Sequence, residues 1–489
     1  MADQPSGPLV GTIARYASSN LFRQVLGVVN AFLKPKLLSP ELFGLWNLLS
    51  LIPNYAQYIH LGSRSALRYQ IPANRGRPRE AENGGLIGAV YYGTLALSLL
   101  LAAGLLLAAV WLPLATAAQV GLATMAAVVL LTWYFDFQVT LLKATEQFRL
   151  LGTVNFFQAG LLSLLNLVLI LALGLYGLYA ALLISSLAGV GYIRARYRPP
   201  RFAPYRHRVF LELVRTGLPI MAFSMSALLI RTADRFLIAG FLGLEALGYY
   251  GIATMAFNLL MQIPGASREV LEPKLMQAFA HGESEALLGE YLVQPLLVMA
   301  YVVPALLGTA ILLLPGAVTW LLPRYLAGVP AAQLLLVGGY FLALTYVLRG
   351  VIVAQGQQWA AALLTLAVTG ANLGAGLLLL RLGLGLPGVA LASGGSFLLL
   401  FLLQWWLVRR RLTVPLPLAL TDLAWPLVLP VVAGAALLAL SSRLPGPLLV
   451  SGGIGALLYG LLCWFYYNRA ARRYGYFPRL ALPVRKPKP

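Results

Sequence analysis

Apolar runs long enough to cross a bilayer follow one another along nearly the whole chain, separated by short basic connections. A helix needs roughly 20 such residues to span the hydrocarbon, and the pattern predicts fourteen spans. The first seven are 9–34, 41–63, 84–111, 115–141, 152–174, 177–196 and 212–241. The other seven are 244–266, 288–314, 329–354, 358–381, 385–408, 422–441 and 446–468. The connection "PGAVTWLLPRYLAG" at 315–328 reads as a re-entrant or interfacial piece. Span 1 departs from the apolar rule. In "IARYASSNLFRQVLGVVNAF", Arg15, Ser19 and Arg23 recur every four residues and so stack on one helix face. Ser18, Asn20 and Gln24 widen that polar face, and Asn30 returns close to it two turns later.

Composition agrees with a membrane protein and excludes a soluble one. Of 489 residues, 60% are hydrophobic and only 10% charged, and the mean hydropathy is +0.80. The lone Cys463 excludes an internal disulfide framework and a Cys-rich metal site. The N-terminus "MADQPSGPLVGTIARY" has no compact apolar segment followed by a cleavage site, so no signal peptide is expected to be removed.

The net charge of +21 would suggest nucleic acid in a soluble protein. Here the basic residues sit in short connections, the ordinary membrane pattern, and no nucleic-acid partner is expected. One set of connections, from Arg64 to the C-terminal tail, holds 27 of the 36 Lys and Arg. The opposite set holds five: Lys34, Lys36, Arg324, Arg381 and Arg443. The other four, Arg15, Arg23, Arg231 and Arg235, lie inside spans. By the positive-inside rule both termini are expected in the cytoplasm. The outer connections are short, which leaves no room for an external domain.

A shift of 204 residues superimposes the first half of the chain on the second. Identities include Glu41/Glu245, Gly44/Gly248, Asn54/Asn258, Ser63/Ser267 and Arg64/Arg268. Six spans are an even number, so the copies share orientation and form parallel repeats about an axis along the membrane normal. The pattern predicts an all-α, V-shaped, two-lobed transporter: 1–208 as N-lobe, 209–408 as C-lobe, and 409–489 as two further spans with a basic tail. Transporters built this way carry substrate between the lobes and rock one against the other.

"LSPELFGLWNLLSLI", "IHLGSRSALRYQIPANRGRP" and "RTADRFLIAGFLGLEALGYYGIATM" resemble the multidrug/oligosaccharidyl-lipid/polysaccharide (MOP) exporter superfamily, above all its Wzx-type polysaccharide flippases. The likeness covers essentially the full chain. It implies flipping of undecaprenyl-pyrophosphate-linked oligosaccharide, such as an O-antigen unit of lipopolysaccharide, across the bacterial inner membrane. Lipid II flippases share the fold and are the nearest alternative. Drug/cation antiporters of the superfamily usually have twelve spans, against the fourteen counted here. No cofactor is expected; membrane potential, protons and sodium all stay open as energy sources, and a monomer is compatible with the pattern.

A pyrophosphate and its sugars need a hydrated, cationic path. Arginine suits the anion because its planar fork donates two hydrogen bonds to phosphate oxygens. An arginine at the bilayer centre costs ~2.5–3.5 kcal/mol on insertion scales, so it faces a cavity or a partner. The polar face of span 1 is therefore expected to look into the space between the lobes. The resemblance implies pyrophosphate contacts from spans 1, 2 and 8, where Arg23, Arg64 and Arg268 stand, with Arg15 nearer the cytoplasm. Arg64 and Arg268 end spans 2 and 8 at equivalent repeat positions, so they read as a symmetric pair of anion receivers or as positive-inside anchors.

In "RTADR", Arg231 lies one turn from Asp234 and Arg235. Asp234 can neutralise one of the two arginines, as a structural ion pair or as a cavity charge or coupling-ion site. Asp136, in "TWYFDFQ" with Trp133 and Gln138, combines groups able to stack on and hydrogen-bond a sugar, or simply marks a membrane interface. Glu41 and Glu245 open spans 2 and 8, where a carboxylate favours the helix N-terminus. Prolines 53, 219, 264, 295 and 304 permit bends, and the "GG" and "SGG" pairs permit close helix packing.

Enzyme chemistry is not expected. His60, His207 and His281 fall at or beyond cytoplasmic span ends, and no acidic cluster faces outside. No phosphate-cradling G-x-x-x-x-G-K-[ST] run occurs, so ATP is not a direct driver. If span 1 contributes as the resemblance implies, an Arg23→Ala variant that still folds loses transport in reconstituted vesicles. Full activity would remove span 1 from the mechanism.

Overall fold

A computed structural model describes residues 27, 29–76, 80, 82–200, 202–280, 289–412, 418, 420–441 and 448–474. The described elements are helical: α1 (Pro40–Leu49), α2 (Leu51–Ala56), α3 (Ser63–Asn74), α4 (Asn83–Trp111), α5 (Thr116–Ala144), α6 (Phe148–Arg196) and α7 (His207–Leu229). There follow α8 (Ala233–Phe241), α9 (Gly243–Ala280), α10 (Gln294–Leu321), α11 (Val329–Ala354), α12 (Gln358–Arg381), α13 (Gly385–Arg409), α14 (Leu420–Ser441) and α15 (Leu448–Tyr474). Among the described residues, ten helices are long and apolar enough to cross a membrane.

The predicted fourteen and the observed ten differ for identifiable reasons. Spans 5 and 6 both lie in α6, which breaks at Gly174 (φ 55°, ψ −128°). The chain doubles back there, since a Cβ on Gly177 would lie 2.0 Å from the Leu169 carbonyl oxygen. Span 1 falls mostly outside the described residues; its end, 29–37, is helical. Span 8 is the first part of α9, which runs on to Ala280 and is long enough to cross but not apolar enough to count among the ten.

Span 2 is not one helix. Ser39 caps α1 by accepting from the Leu42 N–H (3.3 Å), α2 stops at Ala56, and turns occupy 57–62 before α3 starts. Leu61 and Gly62 have positive φ, 49° and 89°. Gly62 is obligatory here: a Cβ would lie 2.3 Å from the Gly217 carbonyl carbon of α7. Span 7 breaks likewise, at 230–232 between α7 and α8. Pro295 follows a π-helical turn, Gly289–Val293, that runs straight into α10, so it lies within one continuous helical stretch. The 315–328 connection is the end of α10 followed by a 3₁₀ turn, Pro323–Gly328, with Tyr325 buried. It packs by its glycine: a Cβ on Gly328 would lie 2.1 Å from the Tyr249 carbonyl oxygen.

The chain divides into two compact units, Met1–Met225 and Ser226–Pro489. The core of the first gathers α3, α4, α5, α6 and α7 through Leu67, Val90, Phe137, Leu141, Val154, Ile193 and Leu213. In the second, α11 is buried along most of its length and packs against α9 and α13. Its contact with α13 is backbone on backbone, because a Cβ on Gly338 would lie 2.3 Å from the Gly394 Cα. The expected close packing of the "GG" and "SGG" pairs is thus present. Large apolar side chains such as Leu100, Val110, Trp111 and Leu457 are exposed, as a lipid-facing surface requires.

The α3–α7 crossing generates the first structural test. Gly217→Ala would set a Cβ 1.9 Å from the Gly62 carbonyl oxygen, and backbone cannot yield as a side chain does. A loss of about 1–3 kcal/mol is expected from overpacking, read as a lower melting temperature in detergent. Gly104→Ala, which meets nothing within 4 Å, is the control and is expected not to lower it.

Candidate functional site

Arg64 is the best-defined of the predicted cationic groups. It is the second residue of α3, straight after the 57–62 break, and its side chain is only 6% exposed. The break frees backbone carbonyls from the helical ladder, and Arg64 Nη2–H donates to that of Gln57 at 2.7 Å. Its Nη1 lies 3.4 Å from Asp136 Oδ2 of α5, whose side chain is 32% exposed. The Nε–H is buried and has no hydrogen-bond partner.

The turn is braced from several directions. Gly62 N–H donates to His60 Nδ1 (2.9 Å), and Ser63 Oγ–H donates to the His60 carbonyl (2.7 Å). Tyr58 Oη–H reaches the Ser224 carbonyl of α7 (3.3 Å). Arg64 thus sits on a fixed frame at a charged spot inside an apolar unit.

Asp136 pairs with Arg64, but its sequence neighbours face elsewhere. Trp133 is buried, donates from Nε1 to Thr94 Oγ1 (2.8 Å) and contacts the Tyr91 ring at 5.2 Å. Gln138 is buried too, with Oε1 lacking a partner. The three do not form one surface.

In the second unit, Asp234 is 4% exposed. Its Oδ2 accepts from the Tyr250 hydroxyl of α9 and, at 3.4 Å, from the Ser393 hydroxyl of α13. Its Oδ1 accepts from the Arg235 backbone N–H (2.9 Å). Arg231 lies in the 230–232 break and donates from Nη2 to Asn258 Oδ1 (3.1 Å). The expected neutralisation of Asp234 by one arginine side chain is therefore not what holds Arg231, which bonds a neutral amide. Asn30, the repeat mate of Asp234, is also buried and donates from Nδ2 to the Ser163 carbonyl of α6 (3.0 Å).

Arg268 lies within the unbroken α9, half-buried, with its guanidinium carbon 5.7 Å from the Tyr346 ring centroid. The repeat partners therefore differ in setting: Arg64 follows a broken helix and faces a carboxylate, while Arg268 lies in a continuous helix over an aromatic ring. Arg15 and Arg23 lie outside the described residues. The Arg64–Asp136 pairing was missed in the sequence, although a signal existed. Both are charges at the ends of apolar spans, and such charges seek partners.

A family model described as "Polysaccharide biosynthesis protein" matches residues 35–323, more than half of the chain. The chain belongs to this family. It is a multi-pass membrane protein. Its fold is similar to that of the lipid II flippase MurJ in an inward closed conformation, at 13% identity and a TM-score of 0.71, covering 94% of this chain and 100% of that one. An inward-facing MATE family multidrug resistance transporter of the MOP superfamily matches at 16% identity and 0.65, covering 80% and 94%. The MATE multidrug transporter DinF-BH matches at 17% and 0.57, covering 80% and 91%. No curated protein sequence matches. These neighbours are named as transporters and flippases, and at such identities they establish the fold of this polysaccharide-biosynthesis family member.

The Asp234 cage makes a ranked prediction. Tyr250→Phe removes a buried donor from a buried acceptor and is expected to cost roughly 1–3 kcal/mol. Ser393→Ala, whose contact is 3.4 Å long, is expected to cost less. Heat denaturation of the two purified variants checks the order, and equal melting temperatures would refute it.

Proposed function

We propose that this protein flips undecaprenyl-pyrophosphate-linked oligosaccharide, an O-antigen or other polysaccharide repeat unit, from the cytoplasmic to the outer leaflet of a bacterial inner membrane. The observation that carries the reading is Arg64: a buried arginine with an uncommitted donor, at the end of an apolar span, in a polysaccharide-biosynthesis family member. Charge in such a place costs insertion energy and by default marks a substrate path. Arg64, Arg268, Arg23 and Arg15 are the proposed receivers of the pyrophosphate. The polyprenyl tail stays in lipid while the protein opens its path to one leaflet and then the other.

The likeness to a lipid II flippase over nearly the whole chain favours one second reading, in which the head group is that of lipid II. The MATE neighbours keep a drug or cation antiporter in view. Both termini are proposed to be cytoplasmic. Coupling to protons, sodium or membrane potential is proposed without a choice among them, with Asp234 as the group to examine.

The test is heat stability of the detergent-purified protein with undecaprenyl pyrophosphate, against undecaprenol as the uncharged control. A ligand that binds only the folded state raises its stability by mass action. Stabilisation by the pyrophosphate alone, abolished in Arg64→Ala/Arg268→Ala, is expected. Equal effects of the two lipids, or none, would remove the anion argument and turn attention to drugs and ions.

A further inference from the structure

Arg64 is held less tightly than a buried arginine in a finished structural pair. Charge-assisted N–H···O bonds run about 2.7–2.9 Å, whereas Nη1 stands 3.4 Å from Asp136 Oδ2. The shorter contact, 2.7 Å, goes to a neutral carbonyl, that of Gln57. The Nε–H is buried and bonds to nothing. The Asp136 side chain meanwhile is 32% exposed, against 6% for its partner. The carboxylate is therefore the accessible member of the pair, and the arginine has donor capacity that the carboxylate leaves unused. An anion with more acceptor oxygens could take over Asp136's place and use more donors than Asp136 does.

We propose that Asp136 is a resident counter-ion for Arg64, displaced by a diphosphate ester on binding and returning to Arg64 to expel it. This rests on the lipid-linked reading above and adds to it a positioning residue that sets both affinity and release. Without ligand, Asp136 keeps a buried cation neutralised, so the empty transporter does not carry an unpaired charge in apolar surroundings. With ligand, the phosphate oxygens replace the carboxylate, and Asp136 is left on the exposed side of the pair. When the path opens outward, Asp136 competes again for Arg64 and helps the head group leave. No bond is made or broken; the step is an exchange of one anion for another on a fixed guanidinium. The fixed frame of Gly62, His60 and Tyr58 suits this, because Arg64 need not move for its partner to change.

The experiment compares wild type, Asp136→Asn, Arg64→Ala and Arg64→Ala/Asp136→Asn, each titrated with undecaprenyl pyrophosphate, undecaprenol or inorganic pyrophosphate and read by melting temperature. Asp136→Asn removes the competitor, so its half-saturating undecaprenyl pyrophosphate concentration is expected to fall about tenfold, the scale of a partly desolvated ion pair. Both Arg64→Ala proteins are expected to lose most of the response. A response to inorganic pyrophosphate as strong as to the lipid would assign the site to free anion instead. In vesicles, Asp136→Asn is expected to lower both KM and kcat for flipping, since binding gains what release loses. A purely structural aspartate would lower the melting temperature and leave the half-saturating concentration unchanged, which overturns the exchange.

Should Asp136→Asn not fold, the wild-type protein answers alone. Carbodiimide labelling of Asp136, followed by mass spectrometry, is expected to rise when undecaprenyl pyrophosphate is bound and not with undecaprenol. Unchanged labelling despite a lipid-induced rise in melting temperature overturns the exchange but keeps the lipid-linked reading. No melting response of wild type to either lipid removes both.

Discussion

Hydrocarbon offers no hydrogen-bond partner to a peptide group, so every backbone N–H and C=O within it must be satisfied by the protein itself. That constraint makes the chain helical and gives the places where a helix stops their meaning. Gly174 lies where the chain doubles back between two spans and needs only a residue without a Cβ. The breaks at 57–62 and 230–232 interrupt what the hydropathy pattern reads as single spans. At the first, Arg64 itself donates to the freed Gln57 carbonyl. At the second, the Thr232 hydroxyl returns to the Leu228 carbonyl at 2.9 Å. An arginine stands at or just after each interruption, but only Arg64 itself bonds a freed carbonyl; Arg231 bonds the Asn258 amide instead.

The two carboxylates answer a second constraint, the cost of enclosing charge, in opposite ways. Asp234 is enclosed and surrounded by donors: two hydroxyls and the next residue's N–H. Asp136 has the Arg64 guanidinium at 3.4 Å and keeps about a third of its surface exposed. Removing a donor from the first leaves an enclosed acceptor short. Removing the second leaves an enclosed arginine without a counter-ion. The first arrangement resists change, and the second accommodates a substitute of like charge.

Much of the fold was legible because hydropathy and punctuation agree. Spans 10 and 11 have the observed bounds of α11 and α12, and span 12 differs from α13 by one residue. Gly, Pro and polar pairs close those segments, so the pattern had no alternative. The breaks in spans 2 and 7 were not legible, because composition does not reveal a change of φ inside an apolar run. Gly62 reads as one small residue among many until Gly217 is seen against it. Of the candidate site, Arg64 and Asp136 could be read as separate charges, but not their meeting. Residues far apart in sequence are brought together only by α3 and α5 packing. Trp133 illustrates the converse error: close in sequence to Asp136, it is turned by helical geometry toward Thr94.

The repeat sharpens this point. "IHLGSR" in the first copy aligns with "IPGASR" in the second, which places Gly62 opposite Ala266. A left-handed residue at φ 89° is open to glycine and strained for alanine. The first copy therefore breaks before its arginine, whereas the second runs on as α9 through Arg268 to Ala280. The first copy thus fixes its guanidinium at a helix start beside a carboxylate, and the second lays it over the Tyr346 ring. Ancestry made the two arginines equivalent in sequence, and backbone geometry made them unequal in chemistry. On the proposed function this inequality has a use, since a lipid-linked sugar presents one pyrophosphate, and one exchangeable counter-ion is enough to take it up and let it go.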